Sequence, residues 1–266
     1  GNNYHGSAKK LFLPNEVSNI KGWFDASDTS TLDSGTSLGA SGPPSNNGSV
    51  KYWGDKSGNN HHAISSDTPI YESSSASLSY PTIRTNGAVM EVSNSTTAFD
   101  SWSSMTIAVL YQWTDNSNNW RPGITKRTGT NSGMTAGWSF QRFNIGSNQG
   151  AGLWWATSSG QARLQNSDST SSAMNAYDSP KITIIRYDGS GTNLTYFSNG
   201  TQANQNTSMP SSFVSNNTVP LKIEDNNRWA EILIFQNAIG TSDRQKIEGY
   251  LAHKWGLAGN LDENHP

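Results

Sequence analysis

Cysteine is absent from this chain of 266 residues. Its absence excludes a disulfide scaffold, a thiolate metal site and a cysteine nucleophile. Charge is also sparse, since Asp, Glu, Lys and Arg make up 14% of the residues and the formal net charge is −2. Nucleic acids and membrane surfaces are recognised by clustered basic residues, so no nucleic-acid partner is expected. No apolar run approaches the ~18 residues of a membrane-spanning helix, so membrane insertion is not expected either.

The hydrophobic content of the chain is low, at 33%, but its aromatic content is high, with 10 Trp, 9 Tyr and 8 Phe. Disordered chains are poor in aromatic residues, so the low hydrophobic content does not indicate disorder. A thin β-sheet core with large aromatic residues and long polar loops accounts for both values. We expect an N-terminal arm over residues 1–15 and a single sandwich domain over residues 16–266.

Short apolar runs separated by turn residues recur along the chain and predict strands. The run at 105–113 places Ile107 and Val109 on one face and Ala108 and Leu110 on the other, so both faces are expected to be covered. The dipeptide Asn199-Gly200 is typical of a tight β-hairpin. The other predicted strands lie at 20–25, 50–55, 137–143, 152–157, 181–189, 194–202, 219–224 and 229–235.

One helix is predicted near the C-terminus. Ser242 is a suitable N-cap, and Gln245 follows at the spacing of a capping box. Gly256 stands where a glycine often ends a helix. Apolar residues between them recur at helical spacing, namely Ile247, Tyr250, Leu251 and Trp255. This apolar stripe is expected to cover an end or an edge of the sandwich.

Several segments together resemble the laminin G-like domains of bacterial and phage extracellular proteins, within the concanavalin A-like lectin/glucanase superfamily. They are GWFDASDTSTL (22–32), VKYWGDKSGNNHHA (50–63), KITIIRYDG with LTYFSNGTQ, and AEILIFQNAIGTSDRQKIEGYLAHKWGL (230–257). The resemblance implies an all-β fold, a two-sheet antiparallel jelly-roll β-sandwich with one C-terminal α-helix. It also implies an extracellular, cell-surface or virion-surface location. Such domains serve as carbohydrate-binding modules, adhesin heads, tail-fibre parts or enzyme appendages, so the fold leaves the function open.

Catalysis is disfavoured by the placement of the acidic residues. Related jelly-roll glycoside hydrolases carry acids at alternate positions of one strand, so that two carboxylates flank the sugar. Here Glu224-Asp225 and Glu231 are separated by a turn, and that alternation is absent. Glu231 matches a structural Glu of the resembling family, and we expect it to pair with helix residues such as Arg244 or Lys246. The chain is therefore expected to be no enzyme, although a hydrolase or lyase remains a third alternative.

Sugar binding is the favoured functional hypothesis. Aromatic rings stack on the C–H faces of pyranoses, while amide, carboxylate and guanidinium groups bind their hydroxyls. Trp120 lies in a polar loop, where it is either exposed or a lid on the core. The expected ligand-binding residues are Asn119, Trp120, Arg121, Trp138, Gln141, Arg142, Trp154 and Trp155. The tryptophans expected in the core are Trp23, Trp53, Trp113, Trp229 and Trp255.

Two oxygen-rich turns suggest a calcium site. Asp25 and Asp28 flank one turn, and Asp55 and Asn59 belong to the other. Ca²⁺ takes six to eight oxygen ligands, of which many are backbone carbonyls, so a few loop acids suffice. The alternative interpretation is that Asp25 and Asp55 cap turns by accepting backbone N–H bonds, which is the commoner arrangement.

The sequence therefore favours a non-catalytic glycan-binding domain of a larger extracellular, adhesin or phage fibre protein, within a multidomain or oligomeric surface assembly. The alternative is a structural or protein-interaction module of a surface or virion protein. A glycan-binding domain is expected to expose Trp or Tyr beside Asn, Asp or Arg in a groove. A structural module is expected to bury its aromatic residues.

Overall fold

The computed structural model describes residues 11–74, 79–95, 97–100, 102–114, 121–130, 133–145, 148–158, 160–165, 176–177, 179–211 and 213–266. Its strands are β1 (Ile20–Asp25), β2 (Leu32–Asp33), β3 (Tyr52–Trp53), β4 (Ala63–Ile64), β5 (Ile70–Glu72), β6 (Thr82–Arg84), β7 (Met90–Val92), β8 (Ser104–Trp113), β9 (Arg121–Thr128), β10 (Ala136–Ile145), β11 (Asn148–Thr157), β12 (Gly160–Gln165), β13 (Lys181–Asp188), β14 (Asn193–Ser198), β15 (Thr201–Asn206), β16 (Leu221–Ile223) and β17 (Asn227–Phe235). One α-helix, α1 (Thr241–Lys254), follows them within the described residues.

The strands form two antiparallel sheets. The order of the first sheet is β15-β14-β13-β8-β17-β6-β5, and β1 also pairs with β17. The order of the second sheet is β12-β11-β10-β9-β16-β7-β4-β3-β2. Two stacked antiparallel sheets and one helix confirm the predicted β-sandwich. We call these the eight-stranded sheet and the nine-stranded sheet.

The core between the two sheets is aromatic. The rings of Tyr111 and Trp229 stack with centroids 5.7 Å apart, and Phe140 meets Tyr111 edge-on at 5.6 Å. Such pairs add about 0.5–1.5 kcal/mol each beyond the area that they bury. The five tryptophans expected in the core are all buried, as predicted.

A second apolar layer covers the other side of the eight-stranded sheet. Ala108 and Leu110 of β8 point there, whereas Ile107 and Val109 face the sandwich core. Helix α1 supplies the opposing side chains, Ile247, Leu251, Ala252 and the following Trp255. The predicted burial of both faces of β8 is thereby confirmed.

The N-cap of the helix lies two residues before the predicted Ser242. Gly240 is the N-cap, and its carbonyl accepts the first helical bond from the N–H of Arg244. The predicted capping box of Ser242 and Gln245 is therefore wrong, because Ser242 already lies in the first turn. Gly256 has φ +70°, the left-handed conformation expected after the last turn.

Two other local predictions had different outcomes. Asn199 and Gly200 have φ 49° and 82°, which gives the predicted tight hairpin between β14 and β15. The strand predicted at 50–55 is reduced to Tyr52–Trp53. Of the predicted N-terminal arm, residues 1–10 lie outside the described residues, and Leu11 is exposed.

The carboxylate of Asp33 organises a long loop. It accepts four backbone N–H bonds, from Gly35, Gly39, Ser41 and Gly42, at 2.7–3.1 Å. Burial raises the carboxyl pKa, but these bonds outweigh it and hold the pKa of Asp33 below its ordinary value. A single side chain therefore fixes the loop that follows β2.

Candidate functional site

Two tryptophans that were expected to bind ligand lie in the sandwich core. Trp138 of β10 pairs in register with Trp155 of β11, so both side chains point to the same side of the sheet. The ring of Trp155 meets Tyr187 of the opposite sheet at 4.7 Å. Both tryptophans are 1% exposed. This placement does not support a ligand contact for either ring, because both fill the space between the sheets.

Gln141 and Trp154 lie on the outer side of the nine-stranded sheet, but they too are covered. Trp154 pairs with Ser139, so it points away from the neighbouring Trp155, as the alternation of a strand predicts. Gln141, Trp154 and the nearby Arg142 are only 1%, 3% and 4% exposed. These side chains therefore do not form an open binding surface.

The remaining predicted ligand-binding residues are only partly described. Arg121 begins β9, and its side chain is 39% exposed. Its Nη1 lies 3.5 Å from Oδ1 of Asp225, which makes a weak ion pair at the surface. Asn119 and Trp120 lie outside the described residues.

The predicted calcium ligands Asp25 and Asp28 are occupied by lysines. Nζ of Lys56 lies 2.8 Å from a carboxylate oxygen of each, and Nζ of Lys254 lies 2.7 Å from Asp25. Burial opposes the ionisation of Asp25, but the charge of Lys254 and bonds from Lys254, Lys56 and Ser27 outweigh it and lower its pKa. These two carboxylates thus neutralise cationic side chains.

Asp55 and Asn59 stabilise their own turn. Oδ1 of Asp55 accepts the N–H groups of Trp23 and Ser57, both at 2.9 Å, and Asn59 donates to the carbonyl of Ile20 at 2.9 Å. Oδ1 of Asp25 likewise accepts the N–H of Ser27. The turn-capping interpretation therefore describes these residues. Within the described part of the chain, no three His, Cys, Asp or Glu residues form a group able to hold a metal ion.

Glu231 is the centre of a buried network between β17 and the helix. It is 0% exposed and accepts bonds from Nε1 of Trp23 and Oη of Tyr250. It also accepts bonds from Nζ of Lys254 and Nε1 of Trp255. All four distances are 2.6–2.8 Å.

Glu231 was predicted to pair with helix residues, and it does, but its helix partners are Tyr250 and Lys254. Arg244 instead binds Glu248, and Lys246 binds Asp243. Burial, followed by the charge of Asp25, raises the pKa of Glu231.

The acids considered for catalysis lie on opposite sides of the molecule. Glu224 follows β16 on the outer face of the nine-stranded sheet, where it accepts a bond from the hydroxyl of Thr125 at 2.6 Å. Glu231 faces the helix on the far side of the other sheet. Stacked sheets are about 10 Å apart, so these two carboxylates cannot flank one glycosidic bond.

A polar pocket opens at one end of the β1–β17 strand pair. Its volume is about 300 Å³, at the lower end of the range of small-molecule sites. We call it the rim pocket, and it is lined by Lys21, Asn59, His61, Thr97, Ala98, Asp100, Trp102 and Gln236.

Three residues that line the rim pocket carry acceptor atoms. Oδ1 of Asp100 accepts the N–H of Asn216 at 2.5 Å, while its buried Oδ2 has no hydrogen-bond partner among the described residues. Nδ1 of His61 lies 2.7 Å from the carbonyl of Lys21, to which it donates, and this leaves Nε2 as the second polar atom of the ring. Asn59 uses Nδ2 for two bonds, which leaves Oδ1 as an acceptor.

Donors and an apolar wall complete the rim pocket. Lys21 is half-buried and has no ion pair within the described ranges, so its ammonium group is available to a ligand. The side chain of Gln236 is exposed beside it. Trp102 and Ala98 form the apolar part of the wall, and Trp102 packs on Phe99 with centroids 5.6 Å apart.

A buried lysine lies in the electrostatic field of Asp100. Burial lowers the pKa of Lys126 to about 8, and the charge of Asp100 opposes that shift. Nζ of Lys126 donates to the carbonyl of Val219 at 2.7 Å. Lys126 therefore places a cationic side chain close enough to Asp100 for the two charges to interact.

The backbone beside Asp100 is held in an uncommon conformation. Phe99 has φ +58°, which is rare for an aromatic residue. Its carbonyl accepts the indole N–H of Trp138 at 2.8 Å, and a Cβ atom at Gly22 would lie 3.3 Å from its ring. Packing thus holds Phe99 in a strained backbone conformation. Strained residues of this kind are often found at functional sites.

Most residues of the rim pocket were not anticipated from the sequence. Only Asn59 had been considered, as a metal ligand. The others come from four distant segments, around residues 21, 61, 97–102 and 236, and none is part of a recognised motif. The one local signal was Trp102, an aromatic residue between serines just before a strand.

Comparison with known proteins supports the fold. No family model matches the chain, and no curated protein matches it. Solved structures do match. The binding domain of Paraclostridial Mosquitocidal Protein 1 is 13% identical with a TM-score of 0.56, over 89% of this chain and 52% of that chain. The receptor binding domain of botulinum neurotoxin D is 12% identical with a TM-score of 0.56, over 89% of this chain and 53% of that chain.

A third match is the botulinum neurotoxin serotype D ligand binding domain in complex with N-acetylneuraminic acid. It is 13% identical with a TM-score of 0.53, over 74% of this chain and 48% of that chain. This chain therefore spans about half the length of the structures that it matches. At these identities the likeness shows a shared β-sandwich fold, and the laminin G-like assignment stays a prediction.

Proposed function

We propose that this chain is a non-catalytic carbohydrate-binding domain and that the rim pocket holds one sugar residue of a glycan. The observation that carries the proposal is that Asp100, with its unpartnered Oδ2, lines one pocket together with His61, Asn59, Lys21 and Gln236. A sugar hydroxyl both donates and accepts, so a site with donors and acceptors suits a polyhydroxylated ring.

The rim pocket is also prepared for a ligand. The buried Oδ2 of Asp100 lacks a partner, and leaving a buried acceptor unsatisfied costs about 1–3 kcal/mol. A ligand hydroxyl that binds this oxygen would recover part of that energy. The packing of Phe99 fixes the loop before binding, so less ordering entropy is lost when the ligand enters.

The matched structures agree with this proposal at the level of fold. One of them is a complex with N-acetylneuraminic acid, and another is described as depending on interaction with two ganglioside molecules for cell entry. These statements concern those proteins. For this chain they support a binding role over a catalytic one, as does the separation of Glu224 from Glu231.

A glycan array tests the proposal. We expect the wild-type chain to bind at least one glycan, and Lys21→Ala and Asp100→Asn to weaken that binding about tenfold each. A hydrogen bond to a charged group contributes about 1.5–3 kcal/mol, which corresponds to a factor of ten or more. Lys51→Ala, a half-buried lysine outside the rim pocket, is the matched control and should bind like the wild type.

Binding in the presence and absence of EDTA addresses calcium in the same experiment. We expect EDTA to have no effect on the rim pocket, because the predicted calcium ligands Asp25 and Asp28 are bound by Lys56. Absence of binding to every glycan, or full binding by both rim-pocket variants, would contradict the proposal.

The alternative function is a structural or protein-interaction module. The observation that favours it is the burial of Trp138, Trp154 and Trp155, three of the candidate ligand-binding residues. A chain with this function should bind no glycan, and its loops should tolerate substitution of Lys21 and Asp100. The array therefore separates the two functions.

The proposal includes a setting outside the cell or on a cell or virion surface, where glycans are displayed. Uncharged polar residues dominate the exposed loops, which suits such a setting. None of the described helices is long and apolar enough to cross a membrane.

A further inference from the structure

A second cavity lies at the C-terminal end of helix α1, and no predicted site residue lines it. Its volume is about 530 Å³, larger than that of the rim pocket. We call it the helix-end cavity, and its walls include Tyr80, Pro180, Lys254, Trp255 and Leu257. We propose that the helix-end cavity binds a neutral, hydroxylated ring, such as a pyranose, independently of the rim pocket.

The apolar walls of the helix-end cavity are aromatic. The rings of Tyr80 and Trp255 meet edge-to-face with centroids 5.1 Å apart. Pro180 and Leu257 extend this surface. Trp255 is only 4% exposed, so it backs the wall, and the half-buried Tyr80 is the ring that a ligand can contact. Aromatic rings bind the C–H faces of sugars, since an aromatic face carries partial negative charge and the C–H edge partial positive charge.

One polar atom of the cavity is left unsatisfied. Oη of Tyr80 is buried and has no hydrogen-bond partner among the described residues. Burial raises the pKa of Tyr80, so its hydroxyl stays protonated and can both donate and accept. A ligand hydroxyl would supply the missing bond.

The positive charge of Lys254 at the cavity is neutralised by two carboxylates of the protein. Nζ of Lys254 lies 2.7 Å from Asp25 and 2.8 Å from Glu231, and it lies 4.9 Å from the Trp255 ring centroid. An anionic ligand would have to compete with these two carboxylates for Lys254. A cationic ligand would be repelled by the ammonium group already beside the ring. The cavity therefore favours a neutral ligand.

The aromatic wall is also rigid. Nε1 of Trp255 donates to Glu231 at 2.6 Å, so the indole is fixed by the buried network of that carboxylate. Gly256 follows in the left-handed conformation that turns the chain away. A preformed wall loses little entropy on binding, and this favours a specific site over a surface depression.

The two sites are separated along β1. Lys21 of the rim pocket and Asp25, which binds Lys254, are four residues apart, or about 13 Å of extended strand. The two sites therefore share no lining residue, and each can be tested without altering the other.

The experiment is a titration of 5-fluorotryptophan-labelled protein, followed by ¹⁹F NMR. The probes are the methyl glycosides of glucose, galactose, mannose and N-acetylglucosamine. The resonance of Trp255 is assigned from the spectrum of Trp255→Phe. We expect that resonance to shift in a saturable way with at least one probe.

Tyr80→Phe is the informative variant, because it keeps the ring and removes only the unsatisfied hydroxyl. We expect about tenfold weaker binding at Trp255 and a raised unfolding midpoint of the free protein. Tyr177→Phe is the matched control for loss of a hydroxyl from a half-buried tyrosine, and it should leave the Trp255 titration unchanged. Lys21→Ala should leave it unchanged too, which separates this site from the rim pocket.

Two results would overturn the inference. One is the absence of any shift of the Trp255 resonance with all four glycosides. The other is a Tyr80→Phe variant that binds as tightly as the wild type. If Trp255 titrates while the glycan array is negative for the rim pocket, the helix-end cavity stands and only the proposed role of the rim pocket falls.

Discussion

The buried carboxylate of Glu231 gives the sharpest test of how this fold is held together. Replacing it by glutamine keeps the shape of the side chain and removes its charge. The carboxylate accepts bonds from four donors, on Trp23, Tyr250, Lys254 and Trp255. An amide has one acceptor oxygen and one NH₂ group. The NH₂ group is itself a donor, so it cannot accept the hydrogen bonds that two of these donors now make.

The expected loss of stability follows from the hydrogen bonds that the Glu231→Gln variant cannot make. Hydrogen bonds to a charged group contribute about 1.5–3 kcal/mol each, and removing one partner of a buried ion pair costs about 3–5 kcal/mol. Two bonds are lost at the NH₂ group, so we expect Glu231→Gln to lower the free energy of unfolding by about 3–5 kcal/mol. For a domain of this size, roughly 2 °C per kcal/mol gives a fall in Tm of about 6–10 °C.

The assay is equilibrium unfolding in urea, followed by tryptophan fluorescence and by circular dichroism. Glu224→Gln is the matched control, because Glu224 lies on the outer face of the sandwich and bonds to Thr125. We expect this control to lose less than about 1 kcal/mol. A loss below about 1 kcal/mol for Glu231→Gln would refute the inference that Glu231 fastens the helix to β17.

Three further predictions follow from the described contacts. Asp33→Asn should speed amide hydrogen exchange over residues 35–42 and leave the sheets protected, because an NH₂ group would face two of the four loop N–H donors. In an acid titration, stability should fall as the pH drops below about 4, since the folded-state pKa values of Asp25 and Glu72 lie below their ordinary 3.8 and 4.5; equal stability at pH 3 and pH 7 would contradict this. Gly137→Ala should cost more than about 3 kcal/mol in urea unfolding, because Gly137 has φ +81° and an added Cβ would overlap the carbonyl of the facing strand. Gly39→Ala, with φ +85° and open space around it, should cost only about 1 kcal/mol.

The fold was predictable from local patterns where a single period dominates. The alternation of β8 predicted two buried faces, and Ile107 and Leu110 do lie in different apolar clusters. The hairpin at Asn199-Gly200 was predictable because few dipeptides adopt two successive positive φ angles. The cap of α1 was not, because Gly240 and Ser242 are both acceptable N-caps and tertiary packing decides between them.

The candidate site was much less predictable. Alternation correctly gave opposite sides to Trp154 and Trp155, but it cannot say which sides of a sheet are covered. The rim pocket depends on a meeting of Lys21, His61 and Asp100, which the register of β1 on β17 and the strained turn at Phe99 bring together. No local sequence pattern predicts that these three residues lie close together.

The pairing of β1 with β17 has a consequence for how the chain folds. Trp23 bonds to Glu231 across a separation of 208 residues, and β1 pairs along its length with β17. Contacts this distant in sequence make folding slow, because a long loop must close before they form. On the ribosome, the segment that carries β1 must wait, without its partner strand, until β17 has emerged. We therefore expect the domain to fold late in its own synthesis.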